Sequence, residues 1–453
     1  MSASAPGQGG NGAEKAGMNV IHRAAALCAV MLWGWAGAAH ATLPPEQVLQ
    51  NWYKLMLELV RHTPTYTPPV ASRAFAYVGI TGFEAVAGGT DGLQTLAGQV
   101  NGLTEVPARD ATVPYDDGVV LQAALSTAVK TFFSNTGPTG QRAMAAMERV
   151  LTEKTTADLP DDVAARSTAL GVAIAQHVID WSLTDGGAVV ENMGFPHDYA
   201  LGSAPGAWVP TSKIVQQQKP LLPDWGTNRT FAMPDGATCG LPPPPAYSTE
   251  PGSAFYEEAR EVYDTVKALT PEQRQIARFW SDDPMLSPTP PGHWISIAMQ
   301  VQTATAAPLI EQVDLQARLG IALADAFIGC WHAKFEYDLL RPVTYIRATM
   351  DPKWEPILIT PPFPEYPSGH STQSGAAAEV LTDFFGENFA FEDATHLEDG
   401  LEARQFPSFW AAAQEAGMSR LYGGIHFRSA IDQGLEQGRC IGRHVTALQT
   451  RTK

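Results

Sequence analysis

Three short segments in the last third of this chain hold side chains whose types and spacing could manage an oxyanion. Lys334 and Arg341 stand seven residues apart in "KFEYDLLRP", two helical turns, so both fall on one face of a helix. Two cations on an otherwise buried helix face need an anion between them, because unpaired buried charge is expensive. Ser368-Gly369-His370 opens an alanine-rich helix. There the serine hydroxyl can donate, the glycine lets a ligand approach the backbone N–H groups, and the imidazole supplies a proton-transfer group. In "SRLYGGIHFRSAID", Arg420 offers a forked donor suited to phosphate-like oxygens, and His426 follows a glycine-bearing turn. A neutral imidazole aimed at the centre of that anion would serve as nucleophile or metal ligand. Taken singly, each piece has an ordinary reading: a solvated helix face, a satisfied histidine, a helix cap. Taken together, they describe one site with three cations, two histidines and a serine.

The elements that must position these groups are helical. Apolar periodicity predicts helices over 310–340, 372–385, 407–416 and 430–449 in the second half, and over 45–62, 69–87, 116–133, 140–155 and 160–184 in the first, with little sign of strands. The expected fold class is therefore all-α. Residues 186–251, dense in Pro, Gly and Asn, divide an N-terminal helical half, 42–185, from a C-terminal half, 252–453. The aromatics in the divider (Phe195, Tyr199, Trp208, Trp225, Phe231) mark it as a packed loop, not a flexible linker.

Composition bounds the rest. With 45% hydrophobic residues, 11 Trp and 18 Phe in 453 residues, the chain can bury a large interior. A formal charge of −17 argues against nucleic acid or anionic lipid as partner. Residues 1–41 have the parts of a secretory signal: Lys15, His22 and Arg23, an apolar run from 24 to 38, and Ala39-His40-Ala41 as cleavage site, which predicts export to the periplasm or medium and no lasting membrane insertion. Cys28 would leave with the signal. Cys239, Cys330 and Cys440 then allow at most one internal disulfide, in spacing that suits no zinc motif.

Lys334 with six residues before Arg341-Pro342, then Pro367-Ser368-Gly369-His370, then Ser419-Arg420 with five residues before His426, resembles the three-part signature of the type 2 phosphatidic acid phosphatase and vanadium haloperoxidase superfamily. The resemblance implies an all-α fold with the anion at the centre of a C-terminal four-helix bundle. It implies that Lys334, Arg341, Ser368, Gly369 and Arg420 bind the oxygens of vanadate or phosphate. His426 would be the axial vanadium ligand, or the phosphorylated nucleophile of a phosphatase, and His370 the general acid/base. Trp331 and Phe363 resemble the aromatic pair lining the halide side of vanadium chloroperoxidases and bacterial iodoperoxidases. "FWSDDPMLSPTPPGHW" resembles a segment of the soluble haloperoxidase-like branch, in which Asp283 would be the acidic partner of Arg341.

One departure stands out. The acid often found three positions after the last histidine is Ser429 here, with Asp432 nearest, so a carbonyl or another acid must orient His426. His293 and His332, near the motifs, read either as supports of the site residues or, in preference, as merely structural, and His62, His177, His197, His396 and His444 as background. Three functions follow in order of preference. The first is an exported vanadate-dependent haloperoxidase acting on hydrogen peroxide and halide. The second is an exported acid phosphatase using a phosphohistidine. The third is a non-catalytic oxyanion-binding helical protein.

Overall fold

Prolines and capping side chains set the helix starts in the computed structural model, which describes residues 43–452 apart from 197 and 213. The export signal read over residues 1–41 lies outside the described residues, as does His197. The N-terminal half contributes α1 (Pro45–Arg61), α2 (Pro68–Ala87), α3 (Asp117–Phe132), α4 (Pro138–Thr156) and α5 (Asp161–Ser182). Proline occupies the first turn of α1, α2 and α4, where its missing N–H costs nothing, and the Asp116 carboxylate caps α3 by accepting from the Val119 N–H.

The C-terminal half contributes α6 (Ala254–Lys267), α7 (Pro271–Phe279), α8 (Thr289–Ala304), α9 (Leu309–Tyr337), α10 (Pro342–Thr349), α11 (Gly369–Phe385), α12 (Phe409–Gly423) and α13 (Arg428–Thr446). Among the described residues the only sheet is a two-stranded antiparallel ribbon, β1 (Phe391–Asp393) with β2 (Arg404–Phe406), in register Phe391 to Phe406. The all-α expectation holds, and the ribbon is too short to have shown as a strand pattern.

α9 is buried on every side from Gln312 to Trp331, which is the signature of a central helix. One side of it meets α2 of the N-terminal half, so closely that a Cβ on Gly320 would stand 2.9 Å from the Phe75 carbonyl oxygen. The other sides meet α11 and α13, and α12 closes a four-helix bundle of α9, α11, α12 and α13. One hydrophobic core runs through both halves, from Trp52 and Phe75 to Phe409 and Ile441. The segment over 186–251 packs onto α9 through its aromatics, with Trp208 and Trp225 each 1% exposed. A disulfide from Cys239 to Cys440 fastens that segment to α13, and Cys330 remains a buried free thiol. No helix among the described residues is long and apolar enough to cross a membrane.

The tightest seam in the bundle lies between α11 and α13. A Cβ on Gly438 would come within 2.1 Å of the Thr372 carbonyl oxygen, so the two backbones are spaced by the glycine's missing side chain. Gly438→Ala is expected to lower stability by about 1–3 kcal/mol despite alanine's better helix propensity, because backbone must move. Urea unfolding checks this, and a variant as stable as the parent would contradict the packing described.

Candidate active site

The bundle brings the C-terminal ends of α9 and α12 together with the N-terminal ends of α11 and α13. Pro342 ends the run that the periodicity alone would carry to residue 340. α9 stops at Asp338, in the left-handed region at φ 45°, and Pro342 starts α10 with Arg341 in extended backbone before it. That break turns the Arg341 guanidinium back toward Lys334. Ser368 caps α11 by accepting from the Ser371 N–H, while the Thr372 N–H bonds the Ser368 carbonyl. The first-turn N–H groups of Gly369 and His370 are left facing the site at the positive end of the helix. α12 runs on to Gly423, well past residue 416, and so carries Arg420 on its last turn.

Lys334, Arg341 and Ser368 are completely buried, and Arg420 and His426 are each 2% exposed. The Lys334 ammonium donates to the carbonyls of Pro364 (2.8 Å), Glu365 (2.9 Å) and Pro367. Burial pushes its pKa down to about 7, helped by the Arg341 charge. Arg341 donates through Nε to the Phe363 carbonyl (2.9 Å) and through Nη1 to the Ile425 carbonyl (2.9 Å) and to His426 Nε2 (3.0 Å). Arg420 donates to Ser419 Oγ (3.0 Å) and to the Trp280 carbonyl. Burial lowers both guanidiniums to about 10, so they stay charged at neutral pH.

The histidines are poised as neutral bases. Burial and then the surrounding cations hold His426 and His370 well below the usual histidine range. The tautomer of His426 follows from its neighbours: Arg341 Nη1–H occupies the Nε2 side, so Nε2 accepts and Nδ1 carries the proton, donated to Glu365 Oε1 at 2.8 Å. Glu365 also accepts from the Phe427 N–H at 2.8 Å. Burial pushes the Glu365 carboxyl up, yet these two donors and the Arg341 charge fix it as the acceptor of the pair. Glu365 was missed in the sequence. It supplies the acid that Ser429 and Asp432 do not: the Ser429 hydroxyl donates to Glu258 and Asp432 lies beside Arg428.

Asp283 corrects another expectation. It does not pair with Arg341, whose hydrogen bonds go to Phe363, Ile425 and His426; its charge instead bears on Arg420. The acid that reaches the site is the preceding residue, Asp282, with Oδ2 3.8 Å from His370 Nε2. His396, taken as background, hydrogen-bonds Asp282 as well, at 3.2 Å. Trp331 and Phe363 pack against each other with ring centroids 4.8 Å apart, and the Phe363 ring lies 5.2 Å from the Lys334 ammonium and 5.1 Å from the Arg341 guanidinium carbon.

The donor set fits a tetrahedral oxyanion. Arg341 Nη2 and His370 Nε2 are buried without a hydrogen-bond partner. An anion there would satisfy them and offset three buried cations. Sulfate, which keeps one charge state across the range, is expected to bind more weakly as pH rises through about 7, where the empty site loses the Lys334 proton that an anion must draw back. Calorimetric titrations at pH 6 and pH 9 check this, and Lys334→Met is expected to flatten the dependence. Equal affinities at both pH values would contradict it.

Residues 314–452 match a family model described as the VCPO second helical-bundle domain. The vanadium chloroperoxidase of Curvularia inaequalis is 25% identical over 255 residues, 41% of this chain and 42% of that protein; the match therefore spans less than half the relative's length. A crystal structure of a bacterial vanadium-dependent iodoperoxidase is 36% identical, covering 90% of this chain and 97% of that one with a TM-score of 0.82. A bacterial vanadium-dependent chloroperoxidase shares the fold at 16% identity and a TM-score of 0.65, over 86% of this chain and 94% of that one. The fold and the three-part site define a helical-bundle oxyanion enzyme class, and this chain belongs to its vanadium-dependent haloperoxidase family.

Proposed function

We propose that this chain is an exported vanadate-dependent haloperoxidase that oxidises halide with hydrogen peroxide: halide, peroxide and one proton give hypohalous acid and water. The observation that carries the reading is the unprotonated Nε2 of His426 inside a cage of buried cations with an unpartnered Arg341 N–H. Lys334, Arg341, Arg420, Ser368 and Gly369 would hold the vanadate oxygens, and His426 Nε2 would be the metal's protein ligand. Bound vanadate would supply the Lewis-acidic centre that activates peroxide.

The chain's own groups do the rest. His370, neutral and beside the cage, can take a proton from entering peroxide and return it to the departing oxygen. The three cations lower the cost of the negative charge that accumulates there. Phe363 and Trp331 would give a halide an apolar wall beside the cations, where a poorly hydrated anion loses little on leaving water. The phosphatase alternative loses support on two counts: the relatives are haloperoxidases, and Phe363 lies over two of the cations, where a leaving alcohol would need room. Export is supported by the signal-like residues 1–41 and by the Cys239–Cys440 disulfide, a bond that persists in oxidising compartments. A mature N-terminus at Thr42 by mass spectrometry would agree; an intact N-terminus on exported protein would not.

Triiodide formation from iodide and peroxide, with and without orthovanadate, tests the activity beside phosphomonoester hydrolysis. Vanadate-dependent iodide oxidation is expected. Hydrolysis blocked by vanadate, with no iodide oxidation, would overturn the reading.

A further inference from the structure

His293 lies outside the oxyanion cage, on the second turn of α8, and is completely buried. Its Nδ1 stands 3.0 Å from Asp282 Oδ1 and 3.1 Å from Oδ2, and its Nε2 stands 2.8 Å from Asp393 Oδ2 on β1. Ionised carboxylates only accept, so both ring nitrogens donate, and the ring is a doubly protonated imidazolium with no lone pair left for a metal. Asp282, His293 and His396 are close enough to look like a metal site, but those hydrogen bonds make the group a charge chain instead.

Two features tie this charge to the cage. The Trp280 indole stacks on the His293 ring, with centroids 4.5 Å apart and planes 20° from parallel, and the carbonyl of the same Trp280 accepts from Arg420. Two residues on, Asp282 holds a left-handed backbone at φ 49°, a conformation that non-glycine residues keep only when their surroundings impose it. Its carboxylate is gripped by His293 and by His396 Nε2, and its Oδ2 faces the unpartnered Nε2 of His370 at 3.8 Å.

We infer that His293 is a positioning residue: a fixed imidazolium that, through the single loop from Trp280 to Asp282, sets both the guanidinium of Arg420 and the imidazole of His370. The inference rests on the function proposed above for Arg420 and His370. The groups that bear on His293 are Asp282 from the loop after α7, Asp393 from β1, and His396, itself bonded to Asp399 at 2.9 Å. Arg420 and His370 bear on Asp282 from the cage side. Burial works against a charged His293, but the two carboxylates overcome it and raise its pKa to about 10, while His293 in turn holds both acids below their usual range.

The test uses the full mature protein and its His293→Gln variant. In vanadate-free protein labelled with 15N-histidine, His293 is expected to show two protonated ring nitrogens at pH 8, signals that vanish in the variant and persist in His396→Gln, the control for the other ring held between two carboxylates. The variant is expected to bind orthovanadate about tenfold more weakly by calorimetry, and to lose about 10–100-fold in kcat for iodide while KM for iodide stays within about twofold. A purely structural role would lower the melting temperature and leave the kcat of folded protein unchanged. If His293→Gln does not fold, Asp393→Asn, which hydrogen-bonds neither Asp282 nor the cage, is expected to move vanadate affinity and kcat the same way by a smaller factor. A neutral His293 at pH 8, or a folded variant with parental vanadate affinity and kcat, would overturn the inference. Should the parent itself fail to oxidise halide, the proposed function falls, and the nitrogen spectra with orthovanadate binding still decide whether His293 sets the cage.

Discussion

His426→Ala is expected to abolish vanadate-dependent iodide oxidation, with a loss of at least about 10³-fold in kcat, the scale seen when a principal active-site group is removed. Nε2 of His426 is the unprotonated nitrogen inside the cage that accepts from Arg341, whereas Arg341 and Arg420 are donors only and the Nε2 of His370 faces Asp282. The variant is expected to fold. Arg341 keeps the Phe363 and Ile425 carbonyls, and Glu365 keeps the Phe427 N–H. Folded protein still binds an oxyanion through the cations, so binding of sulfate is expected to survive while activity does not. Parallel measurement of iodide oxidation, sulfate affinity and circular dichroism separates loss of the ligand from loss of the site. Activity within about tenfold of the parent would show that His426 does not hold the metal.

Glu365→Gln is expected to weaken vanadate binding by about 10–100-fold and to lower activity with it, as happens when the hydrogen-bond partner of a metal-bound histidine is changed. The carboxylate fixes the His426 proton on Nδ1 and so keeps Nε2 free. Glutamine removes the charge that raises the basicity of the ring. It also brings an amide N–H that can face Nδ1, and this would place the proton on Nε2, against Arg341 Nη1. The same carboxylate compensates the buried Lys334 and Arg341, so the variant is also expected to be less stable without ligand and to regain part of that loss when an anion binds. Vanadate affinity by calorimetry and thermal unfolding with and without sulfate check both statements. Unchanged affinity would mean that Glu365 does not orient His426.

The residues proposed to hold the oxyanion were legible in the sequence because each announces itself locally: a lysine and, seven residues on, an arginine before a proline, a serine and glycine at a helix start, a histidine after a glycine turn; the shared helix face expected for Lys334 and Arg341 does not form, since α9 stops at Asp338 and Arg341 is extended. The helices were legible for the same reason, since their apolar faces repeat every turn. What lay beyond reach is what depends on long-range closure. Glu365 stands 61 residues before His426 and belongs to a loop with no periodicity, so nothing local marks it as a partner. Asp282 and Asp283 are adjacent acids of the same type, and the choice between them is made by a left-handed turn at Asp282. The chain through His293, Asp393 and His396 joins His293 to an acid 100 residues away and uses a two-stranded ribbon too short to read. Among the cysteines, the partner of Cys440 was set by the path of the 186–251 segment across α13, which spacing cannot reveal.

The central claim is that vanadium sits on His426 inside the cage of Lys334, Arg341 and Arg420. The most direct measurement is anomalous diffraction above the vanadium edge on crystals of the mature protein grown with orthovanadate. A single strong peak bonded to His426 Nε2, absent from crystals of His426→Ala, is the predicted result. A peak elsewhere in the molecule, or a cage that holds vanadate without any bond to His426, would contradict the account.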